Sequence, residues 1–113
     1  PLESASFDAI VSNSLLHHLP QPGALWSETR RLGKPGAALY VMDLIRPQSP
    51  ARARAIVESA AAKEHPLLKE DFYNSLLAAF SLEEVADQLA AAGLDRFQPA
   101  RISERHWLVA GTL

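Results

Sequence analysis

Residues 1–20 read PLESASFDAIVSNSLLHHLP, and the middle of this stretch decides the fold. Phe7 to Ser12 (FDAIVS) is a short apolar run rich in strand formers. Ala9, Ile10 and Val11 are consecutive rather than alternating, the pattern of a strand covered on both faces in a parallel sheet between helices. Asn13 and Ser14 close the run with residues that loops favour. Downstream, Pro20-Gln21-Pro22-Gly23 punctuates the chain. A helix is predicted from Pro22 to Leu32, with Pro22 near its first turn and Gly33 just past its end. Lys34-Pro35-Gly36-Ala37 predicts a type II turn in which Gly36 supplies the positive φ. Ala38 to Leu44 (ALYVMDL) reads as a second apolar strand.

The remainder alternates in the same way. Ala51 to Lys63 is Ala-rich and helical by propensity, ended by His65-Pro66. Lys69 to Phe80 places Phe72, Tyr73, Leu76, Leu77 and Phe80 on one helical face. Ser81 followed three residues later by Glu84 is a capping-box signature for another helix. Leu82, Val85, Ala86 and Leu89 form its apolar stripe, with Gly93 placed as its C-cap. Phe97 to Ile102 and Arg105 to Leu113 read as an antiparallel hairpin about Ser103-Glu104. Strand, helix, strand, helices, hairpin is the order of half a doubly wound α/β sheet with an antiparallel strand added.

The chain has 113 residues, enough for one domain, and its 48% hydrophobic content fits a folded protein. A net charge of −2 without a basic stripe argues against nucleic acid or an anionic membrane as partner. With no Cys, disulfides, thiolate metal sites and a Cys nucleophile are excluded. No apolar run spans a bilayer and no signal peptide is visible, so a cytoplasmic location is expected.

Four segments together resemble one family, the class I S-adenosylmethionine-dependent methyltransferases. The opening run is similar to that family's fourth strand, from the loop before it to the Leu-His-His after it. KPGAALYVMDLIRP (34–47) resembles the turn and fifth strand that follow one helix later, with Ala37 where the family has a second Gly. SLEEVADQLAAAGL (81–94) resembles a late helix of the fold, and RHWLVAGTL (105–113) its last antiparallel strand. The resemblance covers essentially the whole chain. It implies a single α/β domain over residues 1–113 with a truncated Rossmann-like methyltransferase fold. The expected core is a four-stranded mixed sheet, built from the family's fourth, fifth, seventh and sixth strands, with helices on both faces.

The resemblance also implies S-adenosylmethionine as cofactor and a small-molecule methyl acceptor. Asn13, Ser14 and Leu15 are expected beside the methionine end of the cofactor. His17 and Asp43 are the candidate catalytic groups, and His18, Arg46 and Tyr73 the candidate substrate contacts. Each has a structural counterpart: a loop-forming Asn-Ser, a backbone-bonded His, a surface ion pair between Asp43 and Arg46, a packed aromatic stripe. Adjacent side chains on a helical turn diverge by about 100°, so His17 and His18 do not predict a shared metal ion. The family's Gly-rich turn, its acidic contact to the ribose and its acidic or amide contact beside the adenine belong to its first three strands. The glycines here, at 23, 33, 36, 93 and 111, form no Gly-x-Gly. The isolated chain is therefore expected to bind the cofactor poorly. Residues 9–12 become an unguarded sheet edge, which predicts pairing with a second copy as a homodimer or with a missing N-terminal half. A catalytically inert oligomeric or partner-binding module is the alternative.

Overall fold

The computed structural model describes residues 2–113. The elements run β1 (Phe7–Asn13), a 3₁₀ turn (Leu16–His18), α1 (Gly23–Leu32), β2 (Gly33–Leu44), α2 (Pro50–Ala60), α3 (Pro66–Ala78), α4 (Leu82–Ala91), β3 (Ala100–Arg101) and β4 (His106–Thr112). They form one four-stranded sheet in the order β1-β2-β4-β3. β1 and β2 are parallel, and both pairings of β4 are antiparallel. This is the mixed α/β sheet, in the strand order, that the sequence implies.

Side chains alternate across β2, so its two faces meet different helices. Leu39, Val41 and Ile45 face a core with Trp26 of α1, Val85 and Leu89 of α4, and Trp107 and Val109 of β4. Leu44 lies in a second core with Ala53, Ile56 and Val57 of α2 and Leu76 of α3. Helices thus stand on both faces, but α2 and α3 reach only the C-terminal tip of β2. Tyr40 is 44% exposed and Val11 72%. The apolar composition of β1 predicts cover on both faces; among the described residues little packs on it, and it forms the sheet edge.

Several boundaries differ from expectation for local reasons. β2 begins at Gly33, and the register slips between Phe7↔Gly33 and Ala9↔Ala38 to absorb the Lys34–Ala37 segment. Gly36 has φ +84, as the turn requires. Gly33, by contrast, is extended, and its lack of a side chain serves packing: a Cβ there would collide with the Leu113 side chain. α2 stops at Ala60 rather than Lys63, and Ala61–Glu64 closes a turn. α3 starts earlier than predicted, because Pro66 occupies its first turn and His65 caps it by accepting from Leu67 N–H at 3.1 Å. The predicted strand Phe97–Ile102 shrinks to Ala100–Arg101. Phe97 turns into the main core, its N–H bonded to Leu94 O, and Pro99 has no N–H for a ladder.

The capping box at the start of α4 is complete. Glu84 N–H donates to Ser81 Oγ at 3.1 Å, and Ser81 N–H donates to Glu84 Oε1 at 2.9 Å. At the other end Gly93 adopts φ +76 and Leu94 N–H reaches Leu89 O at 2.8 Å. Ser81→Ala is expected to lower stability by about 1 kcal/mol, read as a lower urea midpoint.

The backbone bond from Ser81 holds Glu84 below its ordinary carboxyl range, helped by the charge of Arg46 against an opposing effect of burial. Burial, followed by the neighbouring Arg105 charge, lowers His106, which Asp43 partly opposes. Both groups bind protons less readily folded than unfolded. Their contributions are present above the ordinary values of 6.5 for His106 and 4.5 for Glu84 and are lost as pH falls through the lower folded values. Urea midpoints should therefore drop on acidification in two windows, and His106→Asn should flatten only the upper one.

Candidate functional site

The C-terminal ends of the parallel strands β1 and β2 hold the chemistry. Leu16 is fully buried in the main core and pins the 3₁₀ turn against the sheet. The next residue, His17, is thereby set over the end of β2, where Asp43 is buried. His17 Nδ1 lies 2.7 Å from Asp43 Oδ1, which also accepts from Leu44 N–H at 2.7 Å. Asp43 Oδ2 accepts from His17 N–H at 2.8 Å. The two side chains are 4% and 1% exposed. A buried carboxylate taking three N–H donors is an acceptor throughout, so it selects the Nδ1–H form of His17. Nε2 is then the lone-pair nitrogen. It is buried and has no hydrogen-bond partner, an arrangement that needs an explanation in a folded protein.

His17 also lines a cavity of about 420 Å³ between the 3₁₀ turn and α3. The other walls are His18, Asp71, Asn74, Ser75 and Ala78. The two imidazole centroids are 3.9 Å apart, closer than diverging neighbours on a helical turn suggest. Among the described residues no group of three or more His, Cys, Asp or Glu is placed to hold a metal ion.

The remaining sequence candidates fall in three places. Asn13, Ser14 and Leu15 are exposed at the end of β1, beside this turn. Ser14 adopts φ 61, and its Oγ donates to Asn13 Oδ1 at 2.9 Å. A non-Gly residue in this region is strained. Ser14→Gly should raise stability by about 0.5–1 kcal/mol, net of glycine's extra chain entropy, in a urea titration. Arg46 pairs with Glu84 at 2.9 Å rather than with Asp43. It lines a separate cavity of about 250 Å³ with Arg52, Arg101 and Glu104. Tyr73 packs into the second core under the Arg54 guanidinium, 3.8 Å from its ring centre. Thus His17, Asp43 and His18 come together, while Arg46 and Tyr73 stand apart from them. Asp71, Asn74 and Ser75 escape a sequence reading that follows the apolar stripe of α3. Their own i, i+3, i+4 spacing was the available signal.

Comparison with known proteins agrees with this fold. Residues 1–41 match the family described as a methyltransferase domain. An uncharacterized Escherichia coli protein, YafE, is 38% identical over 52 residues, 46% of this chain and 25% of that protein. Of solved structures, a SAM-dependent methyltransferase from Aquifex aeolicus superposes with a TM-score of 0.59 at 21% identity, over 99% of this chain and 48% of its own. An arsenic(III) S-adenosylmethionine methyltransferase from Chlamydomonas reinhardtii gives a TM-score of 0.60 at 20% identity, over 99% of this chain and 38% of its own. The chain thus spans about half or less of the length of these three relatives. Residues 1–41 match a methyltransferase-domain family, and the chain as a whole has the fold of part of a class I S-adenosylmethionine-dependent methyltransferase.

Proposed function

We propose that this chain supplies the acceptor side of a methyltransferase acting on a small molecule, with His17 as general base and Asp43 as the residue that positions it. The observation that carries this reading is the partnerless Nε2 of a buried His whose other nitrogen is fixed by a carboxylate. Asn13, Ser14 and Leu15 present exposed polar and backbone groups at the strand end where ligands of open α/β sheets bind, and they fit the methionine end of the cofactor. When bound, the cofactor supplies an electrophilic methyl group on a sulfonium. Asn13, Ser14 and Leu15 would hold its methionine end, and the acceptor's oxygen or nitrogen would receive that methyl group. The acceptor's proton passes to His17 Nε2, and Asp43 stabilises the imidazolium that results.

The chain has no Gly-x-Gly turn, the element that by resemblance approaches the methionine part of the cofactor. Cofactor binding by the chain alone is therefore weak, and a segment bearing that turn restores it. Calorimetry with S-adenosylhomocysteine tests this on two proteins: the chain itself, and the chain joined behind a methyltransferase segment that bears that turn. Negligible heat from the first and micromolar binding by the second is the expected result. Absence of binding in both would remove the methyltransferase reading.

The exposed β1 edge favours a second reading, an inert module that associates through residues 9–12. No strand lies outside β1 among the described residues. Its one charged residue, Asp8, is already paired with Lys34 at 3.1 Å. Two copies joining antiparallel at this edge would make a homodimer with one continuous sheet. Light scattering at micromolar concentration distinguishes this dimer from a monomer. No helix among the described residues is long and apolar enough to cross a membrane, and a cytoplasmic setting is part of this proposal.

A further inference from the structure

The cavity beside His17 has a chemical bias that defines its ligand. α3 turns one face towards the 3₁₀ turn, and that face carries Asp71, Asn74, Ser75 and Ala78, spaced i, i+3, i+4 and i+7. A carboxylate, an amide and a hydroxyl thus stand opposite two imidazoles, one of them with a partnerless Nε2. No Lys or Arg lines the cavity, and Asp71 gives it a formal negative charge. Asp71 and Asn74 are exposed, and neither makes a side-chain hydrogen bond that would occupy it. The apolar stripe of the same helix is spent on the second core through Leu76, Phe72 and Tyr73. The polar stripe has no such structural use.

We infer that this cavity recognises a small amine or amino alcohol, held through its ammonium by Asp71 and through its hydroxyl by Asn74 and Ser75. An anionic ligand finds no counter-charge here. The separate arginine-lined cavity does not supply one. Arg46 is paired with Glu84, Arg52 with Glu104, and Arg101 donates to the carbonyls of Ser103 and Glu104. The inference deepens the methyltransferase reading, since it names the acceptor class for the same base. Its test nevertheless needs neither cofactor nor catalysis.

The test titrates the isotopically labelled chain with ethanolamine and, separately, with acetate, following amide and imidazole resonances. Ethanolamine should shift the Asp71–Ser75 amides and the His17 and His18 rings in the millimolar range, while acetate leaves them in place. Asp71→Asn, at an exposed position that leaves the fold intact, should weaken ethanolamine binding about three- to fivefold. Equal shifts with acetate, ethanolamine shifts confined to other surfaces, or an unchanged affinity in Asp71→Asn would each overturn the inference. Those outcomes leave the cofactor test above untouched, and a failed cofactor test leaves this binding untouched.

Discussion

Asp43→Ala is expected to destabilise the fold by about 3–5 kcal/mol, a large share of the roughly 5–15 kcal/mol typical of a whole domain. The reason is the number of donors left behind. His17 Nδ1–H, His17 N–H and Leu44 N–H all end on this one carboxylate, in a site 1% exposed. Removing it strands all three away from water. Asp43→Asn keeps the volume and at least one acceptor, so its cost should be smaller, about 1–3 kcal/mol. Urea titrations of the three proteins measure this directly. A loss below 1 kcal/mol for the alanine variant would mean that water replaces the carboxylate and that His17 is not held by it.

Trp107→Ala should cost about 3–5 kcal/mol, the range for emptying a large aromatic from a core. Trp107 is fully buried on β4, and Trp26 of α1 lies against it with ring centroids 6.3 Å apart. The phenylalanine variants separate packing from polarity. Trp26 Nε1–H donates to Gln88 Oε1 at 3.0 Å, whereas Trp107 Nε1 is buried without a partner. Trp26→Phe loses a bond and orphans Gln88; Trp107→Phe removes an unsatisfied donor. Of two equal changes in volume, the one at Trp107 should therefore be the milder by about 1 kcal/mol. The reverse order in thermal or urea unfolding would show that the indole of Trp107 is satisfied in solution.

The strand order was legible through the resemblance to the methyltransferase family, while the individual elements were legible through motifs with local backbone consequences. The FDAIVS run, the Pro-Gly turn at 35–36 and the Ser81–Glu84 box each dictate local geometry whatever surrounds them. The helix ends at Ala60 and Pro66 were less legible. There a proline that could only stop one helix also began the next. β3 was expected too long because Phe97 joins the core from a turn, a long-range demand that no local pattern records. In the site, His17 and Asp43 were visible as separate candidates, 26 residues apart. Their pairing was not, since it depends on the parallel alignment of β1 with β2 and on Leu16 anchoring the turn. Asp43 and Arg46 suggested an ion pair by proximity in sequence, yet Asp43 points into the fold and Arg46 bonds Glu84. Asp71, Asn74 and Ser75 carry no motif. Only the folding of α3 onto the 3₁₀ turn gives their spacing a meaning.

One spectrum decides whether Asp43 prepares His17 as a base. Long-range proton–nitrogen correlation of the imidazole rings, recorded at about pH 8 where histidines are ordinarily neutral, reports which ring nitrogen bears the proton. His17 is predicted to show Nδ1–H with an unprotonated Nε2, and Asp43→Asn should shift that balance. An Nε2–H form of His17 in the unaltered chain would contradict the assignment of base and positioning residue together.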